Sequence, residues 1–185
     1  MKQKRDIGWI IKIVVWTIVL TVVFTLASSE ILGNVGYVLA FIVLGVIIVV
    51  GILFDVIGVA VTASDQSPFH SMASHKERGA VEALRLIKNA EKVSSICNDV
   101  VGDISGIISG TASAIIVARL TADLSLGNLV TQLAVTAAVA GLTIGGKAIG
   151  KTFAINRSTD IVLFAARIIN IKNRLFDKVR GKSVQ

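Results

Sequence analysis

The sequence predicts an all-α integral membrane protein with four transmembrane helices and short amphipathic helices at the cytoplasmic surface. Three observations carry that expectation. Hydrophobic residues make up 54% of the 185 positions and charged residues only 17%, against about one quarter charged in soluble domains. Aromatic residues are 5%, so the apolar mass is Ile, Val, Leu and Ala. The apolar positions also fall into four runs, each long enough to supply the ~20 residues that cross a hydrocarbon core. The same balance excludes intrinsic disorder, which needs low hydrophobicity with high net charge. A single cysteine excludes an internal disulfide framework.

The first run, residues 8–27, is interrupted only by Lys12. Its basic start and the small residues Ala27, Ser28 and Ser29 also fit a cleaved signal peptide. An uncleaved span is the reading adopted, and either alternative leaves the other three runs with the same orientation. The second run, residues 35–63, is apolar apart from Asp55. The third, residues 93–117, carries Asn98, Asp99 and Asp103. The fourth, residues 129–149, contains Thr131, Gln132, Thr136, Thr143 and Lys147. The second and third exceed the minimum length, which tilt or extension into water accommodates.

Lys and Arg near the span ends set direction. Lys2, Lys4 and Arg5 precede the first span, whereas the loop after it has no base and one acid, Glu30. Lys76, Arg78, Arg85, Lys88 and Lys92 lie between the second and third spans, and only Arg119, offset by Asp123, lies between the third and fourth. Everything after the fourth is basic: Lys151, Arg157, Arg167, Lys172, Arg174, Lys178, Arg180 and Lys182. Basic and base-poor segments alternate at every crossing, so both termini are expected in the cytoplasm. The net charge of +7 then reflects topology and contact with anionic headgroups of the lipid bilayer. The basic–aromatic pattern of a nucleic-acid reader is absent, so no nucleic-acid partner is expected.

Residues 64–74 are a polar break holding the only proline, Pro68. Ser74 and Glu77 have capping-box spacing and predict a helix start there. Val81, Leu84 and Ile87 recur at helical spacing, with Glu82, Arg85 and Lys88 on other faces. This predicts an amphipathic helix lying on the cytoplasmic membrane surface. Asn89 is the expected N-cap of the third span, with Glu91 in its first turn. Ser158 or Thr159 is expected to cap a last helix over about 160–179, an interfacial helix. Ile161, Phe164, Ile168, Leu175 and Val179 form its apolar stripe, and Arg167, Arg174 and Lys178 fall off it.

Charges at mid-bilayer cost roughly 2.5–3.5 kcal/mol on insertion scales, so Asp55, Asp99 and Asp103 are the functional candidates. Asp99 and Asp103 are four apart and would share one face of an α-helix, extended one turn by Ser95, with Asn98, Gly102, Ser105 and Ser109 alongside. Two ionised carboxylates so close repel each other, and a bound cation or a shared proton relieves this. Oxygen-only donors suit hard cations such as Mg²⁺. The alternatives are a hydrated Asp99 near the surface, a solvated helix end at Asp55, and acids that pair with neighbouring hydroxyls or amides. Gly102, Gly106, Gly110 and Ala114 form a small-residue stripe, complemented by Gly141, Gly145 and Gly146, expected to let helices approach closely.

Enzyme chemistry finds no constellation, and none is expected. Cys97 is a lone thiol in an apolar helix. His70 and His75 lie five apart without nearby Cys, which is no zinc signature. Residues 146–152, Gly-Lys-Ala-Ile-Gly-Lys-Thr, end like a phosphate loop but follow a membrane helix rather than a strand.

Four stretches carry a family resemblance. Phe54-Asp55-Val56-Ile57-Gly58-Val59-Ala60-Val61-Thr62 stands where the CorC/CorB–CNNM (cyclin M) family of magnesium and cobalt transporters has Phe-Ser-Ala-x-Glu-Thr-Ala-Leu-Thr. Ala83-Leu84-Arg85-Leu86-Ile87-Lys88-Asn89-Ala90-Glu91-Lys92 resembles its Ala-Leu-Arg-Leu-x-x-Asn-Pro-Glu-Arg. Gly102-Asp103 falls near its Gly-Asn. Gly146-Lys147-Ala148-Ile149-Gly150-Lys151-Thr152-Phe153-Ala154 resembles Gly-Glu-x-x-Pro-Lys-Thr-x-Ala. The resemblance covers about residues 35–169. It implies a three-span core with a cytoplasmic C-terminus, a homodimer, and an ion site of serine and asparagine oxygens plus backbone carbonyls. By position Asp55 replaces a serine, Asp103 replaces the asparagine, Gly146 supplies the backbone position, and Asp99 is a neighbour. The family glutamates are replaced by Gly58 and Lys147 and its prolines by Ala90 and Gly150, so the implied site is more acidic. The last helix would be the family's coupling helix. The sequence carries no counterpart of the CBS and C-terminal regulatory domains, which a separate cytosolic regulatory protein would have to supply.

The expected organisation is therefore an N-terminal span and outer loop (1–34), a family-like transmembrane core (35–157), and a cytoplasmic amphipathic helix with a basic tail (158–185). The expected function is divalent cation transport or binding, Mg²⁺ before Co²⁺, across the bacterial inner membrane. Asp103 would be the main ligand, Asp55 and Asp99 would assist, and Ser95, Asn98 and Gly146 would contribute oxygens. The alternative is a non-transporting scaffold or accessory subunit of a larger membrane complex.

Overall fold

The computed structural model describes residues 7–124 and 129–179. Lys2, Lys4, Arg5, Arg180 and Lys182 lie outside them, as do the side chains of Asp123, Arg174, Leu175, Lys178 and Val179. The described residues are 92% helical, without strands. In order it forms α1 (Ile7–Asn34), α2 (Tyr37–Ala63), α3 (Ser67–Ser74), α4 (Ala80–Lys88), α5 (Ala90–Ser94), a π-helical stretch (Ser95–Gly102), α6 (Asp103–Leu124), α7 (Leu129–Asn156) and α8 (Ser158–Val179).

Four of these segments are long and apolar enough to cross a membrane: Gly8–Asn34, Tyr37–Ala63, Ala90–Ala122 and Leu129–Asn156. Each matches an expected run; the first, third and fourth reach further, and the second starts two residues later, at Tyr37. Val- and Ile-rich helices have no strong intrinsic propensity in water. In hydrocarbon the backbone must satisfy every N–H and C=O within the segment, which makes the helix the default. Their outward faces carry large apolar side chains, among them Trp16, Val38, Leu133 and Leu142, as lipid-facing surfaces do.

The chain divides into two compact units. The first comprises Met1–Ile52 and Asp99–Gly146. Its main core joins Leu32 of α1, Ala40, Leu44 and Ile48 of α2, Ala112 and Ile116 of α6, and Val139 of α7. A second cluster sets Val100, Ile104 and Ile108 against Ile13, Leu20 and Ile47, which lays α1 along α6. Close approach between α2 and α6 occurs at Gly51, where a Cβ would stand 2.7 Å from Ser105 Cβ. The buried small-residue stripe of α6 is Ser105, Ser109 and Ser113. The hydroxyls of Ser109 and Ser113 donate to Gly106 O and Gly110 O within the same helix, at 2.9 and 2.8 Å, so they bury no unsatisfied donor. The glycine stripe behaves differently from expectation: Gly106, Gly110, Gly141 and Gly145 have nothing within 4 Å of a virtual Cβ.

Arg119 closes this unit. Its Nη1 donates to Leu32 O and Val35 O, at 2.5 and 2.8 Å, and its guanidinium lies 5.2 Å from the Tyr37 ring centroid. The last carbonyls of a helix lack intrahelical donors. One side chain from α6 thus caps α1 and pins the short α1–α2 connection. The base between the third and fourth spans has a structural task.

The second unit comprises Leu53–Asn98 and Lys147–Gln185. Phe69 is fully buried at its centre, packed with Ala60 and Val61 of α2, Ala83 and Ile87 of α4, Ala154 of α7, and Val162 and Ala166 of α8. Two local expectations change here. The polar break contains α3, opened by Pro68 in its first turn, where a missing N–H costs nothing. The capping box does not form: Ser74 ends α3, and its hydroxyl donates to Ser71 O at 2.7 Å. The next helix starts at Ala80 behind Gly79, whose φ of 90° only glycine adopts without strain. A Cβ there would also lie 3.0 Å from the Arg167 backbone nitrogen.

The apolar face of α4 packs inside the unit. Its buried face is Ala80, Ala83 and Ile87, packed against α3 and α8, while Val81 points outward. Asn170 of α8 donates to Glu82 at 2.8 Å and fixes the pair. Asn89 does precede the third span, but without a side-chain cap: its Nδ2 donates back to Arg85 O at 2.9 Å, closing α4 instead.

Candidate cation site

The second unit contains three of the residues singled out from sequence, Asp55, Ser95 and Asn98. Asp55 sits in the apolar α2 and is only 4% exposed, which removes the solvated helix end as an account of it. Its Oδ2 has no hydrogen-bond donor. The nearest charge is Lys151 of α7, whose Nζ lies 3.8 Å from that oxygen. The ammonium is too far for a hydrogen bond, and its side chain is 53% exposed. The carboxylate therefore has a counter-charge but no direct donor.

One turn further along α2, Gly58 leaves room for Asn98. A Cβ on Gly58 would fall 2.0 Å from Asn98 Oδ1, so only glycine admits that side chain. The Asn98 amide donates through Nδ2 to Ser94 Oγ at 3.2 Å. Its Oδ1 is buried and, like Asp55 Oδ2, accepts no hydrogen bond. Ser95, partly buried, follows Ser94 at the start of the π-helical stretch. Buried oxygens without partners are costly, and native structures rarely keep them without a ligand, water or ion. Here a carboxylate oxygen and an amide oxygen share that condition on adjoining elements of one unit, and both are hard donors.

The π-helical stretch from Ser95 to Gly102 was not foreseen. Such turns are uncommon and occur often at functional sites. It also alters the geometry assumed for Ser95, Asp99 and Asp103. Four-residue spacing stacks side chains in an α-helix, whereas a π-helix bonds i to i+5. No composition signal marks it, although two serines and an asparagine precede Asp99 within one apolar span.

Asp99, Asp103 and Gly146 belong to the first unit. Asp99 and Asp103 both project from the surface of their helix. Gly146 meets Ile52, whose Cδ1 would lie 2.4 Å from a Cβ, so the glycine serves close packing there. Among the described residues, no group of three or more His, Cys, Asp or Glu side chains could hold a metal ion. A site here would have to combine one carboxylate with neutral oxygens. His70 and His75 are exposed, and Cys97 is buried and free.

No known family, curated protein or solved structure matches this chain. The resemblance to the CorC/CorB–CNNM transporters stands on its four motifs alone. Of these, the first and last supply Asp55, Gly58 and Lys151, three parts of the arrangement described above.

Proposed function

We propose that this protein binds a divalent cation between its transmembrane helices and moves it across a bacterial inner membrane. The observation that carries the reading is the pair of buried acceptors without donors, Asp55 Oδ2 and Asn98 Oδ1. A carboxylate in a low-dielectric surrounding requires a positive charge nearby, and neutral oxygens beside it favour Mg²⁺ or another hard cation over thiophilic metals. Asp55 is the anchoring charge, Asn98 the second donor, and Ser95, three residues before Asn98 in the same unit, a further oxygen. Asp99, Asp103 and the Gly146 carbonyl, all in the first unit, are separate candidate ligands. The distribution of Lys and Arg supports cytoplasmic termini, and the motif resemblance supports a homodimer.

The test is cation-dependent thermal stabilisation of the purified protein in detergent across Mg²⁺, Mn²⁺, Co²⁺ and Na⁺, followed by flux in proteoliposomes. Wild type should be stabilised by Mg²⁺, Asp55→Asn should lose the effect, and Asp103→Asn should lose flux. Equal stabilisation of wild type and Asp55→Asn would remove the site.

One observation favours the alternative of a non-transporting accessory subunit: Lys151 already gives Asp55 a counter-charge at 3.8 Å. That reading expects no ion movement in liposomes and stoichiometric co-purification with another membrane protein.

A further inference from the structure

The last helix has two faces of opposite use. Val162, Ala165 and Ala166 are buried, and the helix packs on α4 with Asn170 fixed to Glu82. Its other face carries Phe164, Ile168 and Ile171, which are 66%, 54% and 59% exposed. At 3.6 residues per turn these three positions form one stripe opposite the packed face. Arg167 falls on one flank of the stripe and Lys172 on the other, and both are exposed. Asp160 is the only acid among the described side chains of the helix, and its carboxylate is paired with Arg157 at 3.5 Å. The stripe that sequence periodicity assigned to this helix is thus mainly the uncovered one.

The position of the helix in the chain narrows what covers this face. Arg157 alone separates α8 from α7, so α8 begins where a membrane-crossing helix ends. A ridge of Phe and Ile flanked on both sides by long cationic side chains matches the boundary between acyl chains and headgroups. The rings and branched chains enter the apolar layer, while Arg and Lys reach up to the phosphates. The charge is complementary to anionic headgroups and repels a cationic partner.

We infer that the outer face of α8, Phe164, Ile168 and Ile171 between Arg167 and Lys172, is a docking surface for the anionic phospholipids of the leaflet from which α7 emerges. The inner face holds α4, so the outer face of α8 adds a direct attachment of the α4–α8 pair to the bilayer. This inference does not depend on the proposed cation site.

Single cysteines test it in the full chain, in a Cys97→Ala background, reconstituted in phosphatidylcholine vesicles. Phe164→Cys, Ile168→Cys and Ile171→Cys are labelled with bimane, and His75→Cys, in an exposed turn, serves as the aqueous control. Quenching by lipids spin-labelled near the top of the acyl chain is expected at the three stripe positions and not at the control. Spin-labelled phosphatidylglycerol should associate with Ile168→Cys about fivefold or more above phosphatidylcholine, the gain that one basic residue brings near an anionic surface. Arg167→Gln with Lys172→Gln, which keeps the stem beside Gly79, should bring that ratio to about one. Equal quenching by both lipids overturns the anionic preference. Absence of quenching at all three positions overturns the docking surface, and disulfide-linked dimers of Ile168→Cys would then identify a second copy as the cover.

Discussion

Replacing Arg119 by methionine keeps most of the side chain's length and apolar contact while removing its five donors. Three interactions are lost together. Two are charge-assisted hydrogen bonds to Leu32 O and Val35 O, of a kind worth about 1.5–3 kcal/mol each. The third is the cation–π contact with Tyr37, worth roughly 0.5–1 kcal/mol where partly exposed. They share one guanidinium, and water can reach part of the α1–α2 turn, so the terms do not add. The expected cost is about 2–4 kcal/mol. Arg119→Lys keeps a positive charge at the α1 C-terminus, worth about 0.3–1 kcal/mol, but cannot span both carbonyls, so it should fall between the two. The assay is equilibrium unfolding in mixed detergent and dodecyl sulfate micelles, followed by helical circular dichroism. If Arg119→Met lies within about 0.5 kcal/mol of wild type, the range of an ordinary surface substitution, the cap carries no weight. Arg119 would then be incidental.

Other perturbations probe the second unit. Gly79→Ala meets a φ of 90° and the Arg167 backbone; it should destabilise the α3–α4–α8 core by about 1–3 kcal/mol, read in the same unfolding assay. Gly58→Ala places a Cβ in the space of the Asn98 carbonyl. It should cost about 1–3 kcal/mol and abolish Mg²⁺-dependent thermal stabilisation, and an unchanged metal response would detach Asn98 from the site. Lys151→Met removes the counter-charge of Asp55. Its midpoint for Mg²⁺ stabilisation should drop by tenfold or more while its metal-free stability falls. A weaker Mg²⁺ response would make Lys151 part of the site rather than a competitor.

The spans were legible because lipid imposes one rule, a continuous apolar run, and composition reports it directly. The segments between them were harder, since there the rule is packing between short helices. Ser74 and Glu77 have the spacing of a capping box, yet the chain places a left-handed glycine at 79 and begins α4 there. Spacing cannot foresee a tertiary contact such as Gly79 against Arg167. Likewise the stripe of Val81, Leu84 and Ile87 divides: Ile87 and Leu84 pack into the core with Ala80 and Ala83, and Val81 is left exposed. For α8 the strongest apolar positions proved to be the uncovered ones, because small residues take the helix–helix contact and large ones are left for the outside. The glycines of α6 show the same limit: small size permits close approach, but serines at 105, 109 and 113 face the core.

Of the candidate acids, the one in the least polar run is the one the fold buries. Asp55 has no other charged residue in its helix, so its location alone marked it, whereas Asp99 and Asp103 drew attention through a spacing that the π-helical stretch changes. Lys151 belonged to the basic side of the topology count and was not linked to Asp55, since the two are far apart in sequence. Their proximity frames the decisive physics. A buried carboxylate needs a positive charge; the structure supplies an ammonium tethered on α7, and the proposed function adds a cation from solution as its competitor. The ammonium is half-exposed and stands 3.8 Å away without a hydrogen bond, which makes it a counter-ion that can be displaced at modest cost. A tight, donor-satisfied pair would have argued for a fixed structural bridge. A loose one, in a unit that holds a second unpaired oxygen at Asn98, is what the proposed exchange would use, and the opposite changes in Mg²⁺ affinity and metal-free stability on removing Lys151 are what exchange requires.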